Sequence, residues 1–316
     1  MFSYRHAFHA GNHADVLKHT TLLSILRHMV EKEAALTVVD THAGAGLYRL
    51  DGDYAAKSAE SADGIFRLFS ASNTVESITG KAQPAMLDIA NPLAPALEDY
   101  RDLIRSFNAD RQMPKVYPGS PFVIEHVLRR HDRLKLFELH PTDARALEGN
   151  IAQLDAGRRV SVFREDGFEG AKKFLPPPAR RALVLCDPSY ELKEDYARVL
   201  AFIADSLRRF ATGTYAVWYP LIARPDAHDL PKRLRTMATQ AGKSWLHASL
   251  TVKSSRLGSS GMSEAAVKRP GLPASGMFVI NPPFTLKPAL AEALPQLVQL
   301  LAQDRHASHV LESGGS

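Results

Sequence analysis

The feature that most restricts this chain is a regular exchange of short apolar runs with helical segments. Runs at 36–40 (LTVVD), 134–138 (LKLFE), 160–165 (VSVFRE), 182–186 (ALVLC), 215–219 (YAVWY), 245–252 (WLHASLTV) and 277–281 (MFVIN) each read as buried strands. Helical spacing of apolar residues fills 14–33, 142–154, 194–210 and 231–241, with a short helix near 170–174. Such alternation predicts an α/β fold whose sheet is mostly parallel and covered by helices on both faces. Seven strands are expected. The last two are joined by a Gly/Ser-rich stretch, 256–276, in place of a helix, so the last strand should run antiparallel to its predecessor. Residues 50–113 carry mixed, mostly helical patterns and interrupt the alternation. The main domain is therefore expected to comprise 1–49 and 114–311, with 50–113 inserted and a disordered tail at 312–316. In YPGSP, Ser120 is placed to cap a helix and Pro121 to sit in its first turn.

Composition narrows the setting. Of 316 residues, 45% are hydrophobic and 23% charged, which are ordinary globular values. No run approaches the roughly 18 apolar residues of a membrane span, and the His-rich start MFSYRHAFHAGNH is unlike a secretory signal. Cys186 is the single cysteine, which rules out a disulfide framework or zinc–cysteine cluster and suits a reducing cytoplasm. Lys plus Arg outnumber Asp plus Glu by 39 to 34, a balance compatible with a polyanionic partner. Nothing points to a membrane or to an obligate protein partner.

Two strand ends carry the short acid-or-amide, proline, aromatic cluster found in enzymes that methylate an amino nitrogen: DPSY at 187–190 and NPPF at 281–284. NPPF is the better literal match. Position decides against it. Ligands of open parallel sheets bind beyond the carboxyl ends of the strands, where strand order reverses. DPSY follows the fourth strand and THAGAG (41–46) the first, and these are neighbours in the usual doubly wound order. NPPF ends an antiparallel strand and should lie at the opposite edge, where its prolines stop the strand.

At the favoured edge, the Gly44–Gly46 turn lets backbone approach a ligand closely. The dinucleotide fingerprint lacks its third glycine, where Arg49 stands, which counts against a nicotinamide cofactor. Glu138, at the end of the second strand, could accept from a ribose. Asp166 and Gly167, at the end of the third, could hold an adenine; helix capping is the plainer alternative for both acids. For methyl transfer to an adenine amino group, the Asp187 carboxylate and the Pro188 carbonyl would accept its N–H bonds, and Asp187 would take the released proton. Tyr190 would stack on a flipped-out base. A strand-terminating turn would use the same tetrapeptide. In the N-terminal segment, Tyr4, Arg5, His6 and Lys18 offer a ring and cations to a nucleotide. His6, His9, His13 and His19 invite a metal, but Gly11 and Asn12 break helical pairing and no metal site is expected. His42 either lines the cofactor pocket or stands in a second layer behind it.

With SYRHAFHAGNHADVLKHT, DTHAGAG, YPGSP, ELHP, DGF, DPSYE, FATGTYAVWYP, ASGM and INPP in hand, the sequence resembles the bacterial RlmJ family of 23S ribosomal RNA adenine-N6-methyltransferases, over almost its whole length. The resemblance implies a Rossmann-like class I domain dependent on S-adenosylmethionine, with a small helical insertion. It implies cofactor contacts at His19, His42, Ser120, Glu138, Asp166, Gly167 and Asp187, with Asp187 as proton acceptor. It also implies 23S rRNA as partner, with Tyr4 against the RNA and His6 and Lys18 assisting. Two departures stand out: Ser189 replaces the family's second proline, and the stretch near 258–271 is longer. The same active-site residues would serve a DNA adenine methyltransferase, and a nucleic-acid-binding protein with a vestigial cofactor pocket is the third reading.

Overall fold

A computed structural model describes residues 6–52, 60–70, 92–109, 111–254 and 271–315. Its centre is an eight-stranded sheet built from β1 (Thr37–Asp40), β4 (Arg133–Phe137), β5 (Val160–Phe163), β6 (Ala182–Cys186), β7 (Thr214–Leu221), β8 (Trp245–Thr251), β9 (Ala274–Ile280) and β10 (Ser308–Gly314). The order across the sheet is β10-β8-β9-β7-β6-β1-β4-β5. From β5 to β7 every pairing is parallel, and β9 runs antiparallel between β7 and β8. The antiparallel course expected for the 277–281 strand is therefore present. Strand order reverses between β1 and β4 on one side and β6 on the other, which opens the crevice at the carboxyl ends of β1, β4, β5 and β6.

The strands read as continuous apolar runs because both sheet faces are covered. Alternate residues enter two separate cores. Val38, Leu183, Leu185 and Ala216 pack into one, and Val39, Val184, Cys186 and Val217 into the other. The first core also takes Leu97, Tyr100, Leu103 and Ile104 from the helix Pro95–Ser106, and Ile65, Leu68 and Phe69 from the helix Ile65–Ser70. The described part of the 50–113 segment is thus helical and shares the core of the main sheet.

Three features differ from expectation. The sheet has an eighth strand: residues 308–314, which include the first part of the tail expected to be disordered at 312–316, pair with β8, from Ser308 opposite Thr251 to Gly314 opposite Trp245. Its Gly/Ser composition hides a backbone ladder that needs little from side chains. A second, two-stranded sheet joins β2 (Leu47–Arg49) to β3 (Val116–Pro118), pairing the chain on either side of the 50–113 segment. Ser120 is not a cap. Gly119 takes the N-cap position, and the Ser120 hydroxyl donates to Asp40 Oδ2 at 2.7 Å.

The helix His13–Met29 begins at Asn12, whose Oδ1 accepts from the amides of Ala14 and Asp15, both at 3.0 Å. It packs on β9, on the last helix Leu286–Leu301 and on Pro95–Ser106. Asp15, Lys18 and His19 are consequently buried.

Candidate active site

A cavity of about 740 Å³ occupies the crevice. It falls in the usual range of roughly 300–1,000 Å³ for a small-molecule site. Its walls bring together His6, Lys18, His19, His42, Gly44, Ser120, Glu138, Asp166, Gly167, Asp187, Pro188 and Tyr190. Tyr4 and most of the 258–271 stretch lie outside the described residues.

Asp187 directly follows β6, at the level of the turn that follows β1, because Asp40 pairs with Leu185 in the parallel ladder. Its Oδ2 accepts from Lys18 Nζ at 2.5 Å, and the same ammonium reaches Asp15 Oδ1 at 2.9 Å. Asp15 Oδ2 is held by His6 Nε2 at 3.0 Å and by the Gly11 amide at 2.9 Å. Burial disfavours both carboxylates, but with different outcomes. For Asp15 the opposing charges of His6 and Lys18 win and hold its carboxyl well below the usual range. For Asp187 burial wins over Lys18, and its proton affinity is raised. Burial also works against the Lys18 ammonium, yet the two carboxylates keep it firmly protonated.

The turn 41–46 is fastened from two sides. Glu138 Oε2 accepts the Gly44 amide at 2.8 Å, and Oε1 accepts the His140 amide at 2.7 Å. Gly44 has φ +60°, and a Cβ there would come within 2.3 Å of the Tyr48 hydroxyl, so glycine is strongly favoured. Asp166 caps the short helix Gly167–Gly170 through the Phe168 amide, at 2.9 Å, and also pairs with Arg198. The capping role weighed for Asp166 is therefore present alongside its place in the cavity wall. Gly167 faces β1, and a Cβ on it would lie 1.9 Å from the Thr41 carbonyl oxygen. His42 packs edge-on against Phe168, and burial lowers its pKa to about 4, so the ring is neutral.

Tyr190 differs from the stacking platform expected of it. It has φ 54°, is only 2% exposed, donates its hydroxyl to the Trp218 carbonyl at 2.7 Å and packs against Tyr196. The ring braces the loop from behind. Trp218, which the sequence did not single out, also lines the cavity, 5.8 Å from Lys18 Nζ, and its buried indole N–H has no partner among the described residues. Asp40 was missed as well. It is fully buried behind Ser120, and burial raises its pKa to about 7. A strand-final acid next to a glycine turn is the only signal that could have found it.

The histidines of the N-terminal segment disperse. His6 meets Asp15, His9 meets Glu60 at 3.0 Å, His13 meets the Leu272 carbonyl at 2.9 Å and His19 meets Tyr117 at 2.9 Å. NPPF lies at the other edge of the sheet. Asn281, at φ 52°, donates to the carbonyls of Ala211 and Gly213 at 3.0 and 2.7 Å, just before β7 begins.

Residues 33–311 match the family model "Ribosomal RNA large subunit methyltransferase D, RlmJ". The chain belongs to the RlmJ family. RlmJ-family relatives include the Ribosomal RNA large subunit methyltransferase J of Haemophilus influenzae, 38% identical over 99% of this chain and 98% of that protein. Its namesake in Escherichia coli is 38% identical over 94% and 93% respectively. A crystal structure of a Legionella pneumophila protein superposes with a TM-score of 0.76 at 30% identity, covering 97% of this chain and 98% of that one. The fold is the class I methyltransferase fold and the cofactor of this RlmJ-family chain is S-adenosylmethionine. The donor set suits it. The cavity offers acceptors at Glu138 and Asp166, close backbone at Gly44 and Gly167, and an unpaired buried imidazole nitrogen on His19.

Proposed function

We propose that this protein methylates the N6 amino group of one adenine in 23S ribosomal RNA, with the base flipped into the cavity beside Asp187. Bound S-adenosylmethionine supplies a methyl group activated by a sulfonium leaving group. Glu138, Asp166 and Gly167, with His19, His42 and Ser120, would hold it. The observation that carries the reading is Asp187 itself, an acid of raised proton affinity at the end of β6, sharing one cavity with the 41–46 turn.

The amino nitrogen of adenine is a weak nucleophile because its lone pair is delocalised into the ring. Acceptance of its N–H bonds by Asp187 and the Pro188 carbonyl favours a pyramidal nitrogen and aims the pair. Alkylation makes the nitrogen acidic, and Asp187 takes its proton. Asp15 does not compete, since His6, Lys18 and the Gly11 amide keep it anionic. Lys18 holds Asp187 until the substrate amine replaces it. Positioning accounts for most of the acceleration. Trp218 is the better stacking platform, with Tyr190 fixing its carbonyl, and Tyr4 approaches the RNA from the N-terminal segment. The reaction takes place in the cytoplasm, on rRNA.

Labelled S-adenosylmethionine incubated with protein-free 23S RNA, 50S particles or duplex DNA tests this. Label is expected in a single adenine of the 23S RNA. Label in DNA alone overturns the RNA substrate, and RNA retention without label supports a binding protein instead.

A further inference from the structure

Few large hydrophobic side chains are exposed among the described residues, and two of them, Leu139 at 47% and Leu192 at 60%, stand on the wall of the cavity. Leu139 follows Glu138 after β4, on the side read as the cofactor's. Leu192 lies on the loop from β6 to the helix Glu194–Arg209, the same loop that begins with Asp187 and Pro188. The plainer explanation for an apolar residue just ahead of a helix is a staple, in which it packs on the fourth helical residue. The cap of this helix is Lys193, so Leu192 holds the preceding position and Ala197 the facing one. Ala197 is itself exposed and offers only a methyl group, and Leu192 stays 60% exposed, so no staple covers it.

The loop is held on both sides of this side chain. The Asp195 amide donates to the Leu192 carbonyl at 3.1 Å. Before it, the Tyr190 hydroxyl donates to the Trp218 carbonyl at 2.7 Å, and Arg224 donates to the Tyr190 carbonyl at 3.4 Å. Ser189, Glu191, Leu192 and Lys193 are the loop's exposed residues, and of these Leu192 alone is apolar. A fixed backbone thus presents one apolar group to water at the mouth of the cavity. An adenine that enters the cavity leaves a gap between its two neighbours in the RNA, and their faces lose their stacking partner. An apolar, branched side chain fills such a gap without bringing water into it, and leucine is among the side chains that wedge between unstacked bases.

We propose that Leu192 is a positioning residue that wedges into the stack vacated by the target adenine and so keeps the base in the cavity beside Asp187. The inference rests on the reading of the cavity as the site of an extruded RNA adenine. One loop then performs both tasks: Asp187 and the Pro188 carbonyl hold the base that has left, and Leu192 closes the space behind it. The wedge acts on the extruded fraction of bound RNA and leaves cofactor affinity alone.

A short 23S RNA fragment with 2-aminopurine in place of the methylated adenine reports extrusion, because its fluorescence rises when the base leaves the stack. Saturating wild type with S-adenosylhomocysteine should raise it several-fold. Leu192→Ala should bind the fragment within about threefold of wild type yet give less than about half the rise. On the unsubstituted fragment its kcat/KM should fall about tenfold, in line with losing the partial burial of a leucine side chain. Leu192→Met restores an apolar side chain of similar volume and should recover most of both. Melting temperature and S-adenosylhomocysteine affinity should stay at wild-type values, since the side chain is exposed in the free protein. A full fluorescence rise with Leu192→Ala overturns the proposal, as does a wild type that methylates the fragment without raising the fluorescence. A kcat/KM loss matched by an equal loss of S-adenosylhomocysteine affinity also overturns it and places Leu192 over the cofactor. If the wild type transfers no methyl group to any RNA, the functional reading itself falls, and the wedge with it.

Discussion

Asp187 and Asp15 share one ammonium, and their different proton affinities follow from their other neighbours. Asp15 has His6 and the Gly11 amide; Asp187 has the cavity. Asp187→Asn should therefore lower kcat by roughly 10²–10⁴-fold while S-adenosylhomocysteine still binds, by calorimetry, within a few-fold. Turnover close to wild type would remove Asp187 from the chemistry. Asp187 was legible because a motif at the end of a strand places itself. Asp40 and Trp218 were not, since their roles depend on which segments fold over them. Asp40 allows a pH test. Its carboxyl is raised by burial to about 7 in the folded state, from an ordinary value near 3.8. A group shifted in that direction contributes stability that is present below its unfolded value and is lost as pH rises through its folded value. Asp40→Asn removes that loss, so the variant should gain on wild type between about pH 4 and pH 7, by at most about 4 kcal/mol. The check is melting temperature against pH for both proteins. A difference that stays constant with pH argues against a titrating Asp40.

At the scale of elements, loops are where expectation and structure part. Strand positions follow apolar runs because both faces of the sheet are covered, so every residue of β1 and β6 is buried. Loop contacts have no such period. Ser120 has the right residue type for a cap, but the acid behind it claims its hydroxyl. NPPF has the right letters and the wrong strand direction. Asn281→Ala should cost about 1–2 kcal/mol, because two carbonyls lose their donor and a left-handed residue loses the side chain that tolerates it. Methyl transfer should stay within about twofold of wild type; a large fall in kcat without unfolding would return NPPF to the active site. Gly167→Ala makes the opposite demand. With the Thr41 carbonyl 1.9 Å from the new Cβ, the turn after β5 must retreat from β1. A loss of about 1–3 kcal/mol is expected, with weaker binding of S-adenosylhomocysteine, read by thermal melts and calorimetry.

For the molecule as a whole, the parallel half of the sheet was readable from the alternation, and the strand at the far edge was not. Residues 308–314 are mostly exposed and rich in Ser and Gly, so no apolar period marks them. What holds them is the open ladder of β8, together with Leu311 against the core and Glu312 paired with Arg235 at 2.5 Å. Without this strand, β8 would present unpaired amides and carbonyls to other molecules, the usual route to edge-to-edge association. Three strands separate β10 from β6, so its loss should not reach the active site. A chain ending at Ala307 should melt several degrees lower than the full chain and run at larger apparent size in gel filtration as concentration rises, by an edge effect of that kind. Its kcat on 23S RNA, measured at low protein concentration, should match the full chain. An unchanged melt and a concentration-independent monomer would mean that the ladder to β8 contributes nothing in solution, and a fall in kcat would mean that the far edge of the sheet is coupled to Asp187 after all.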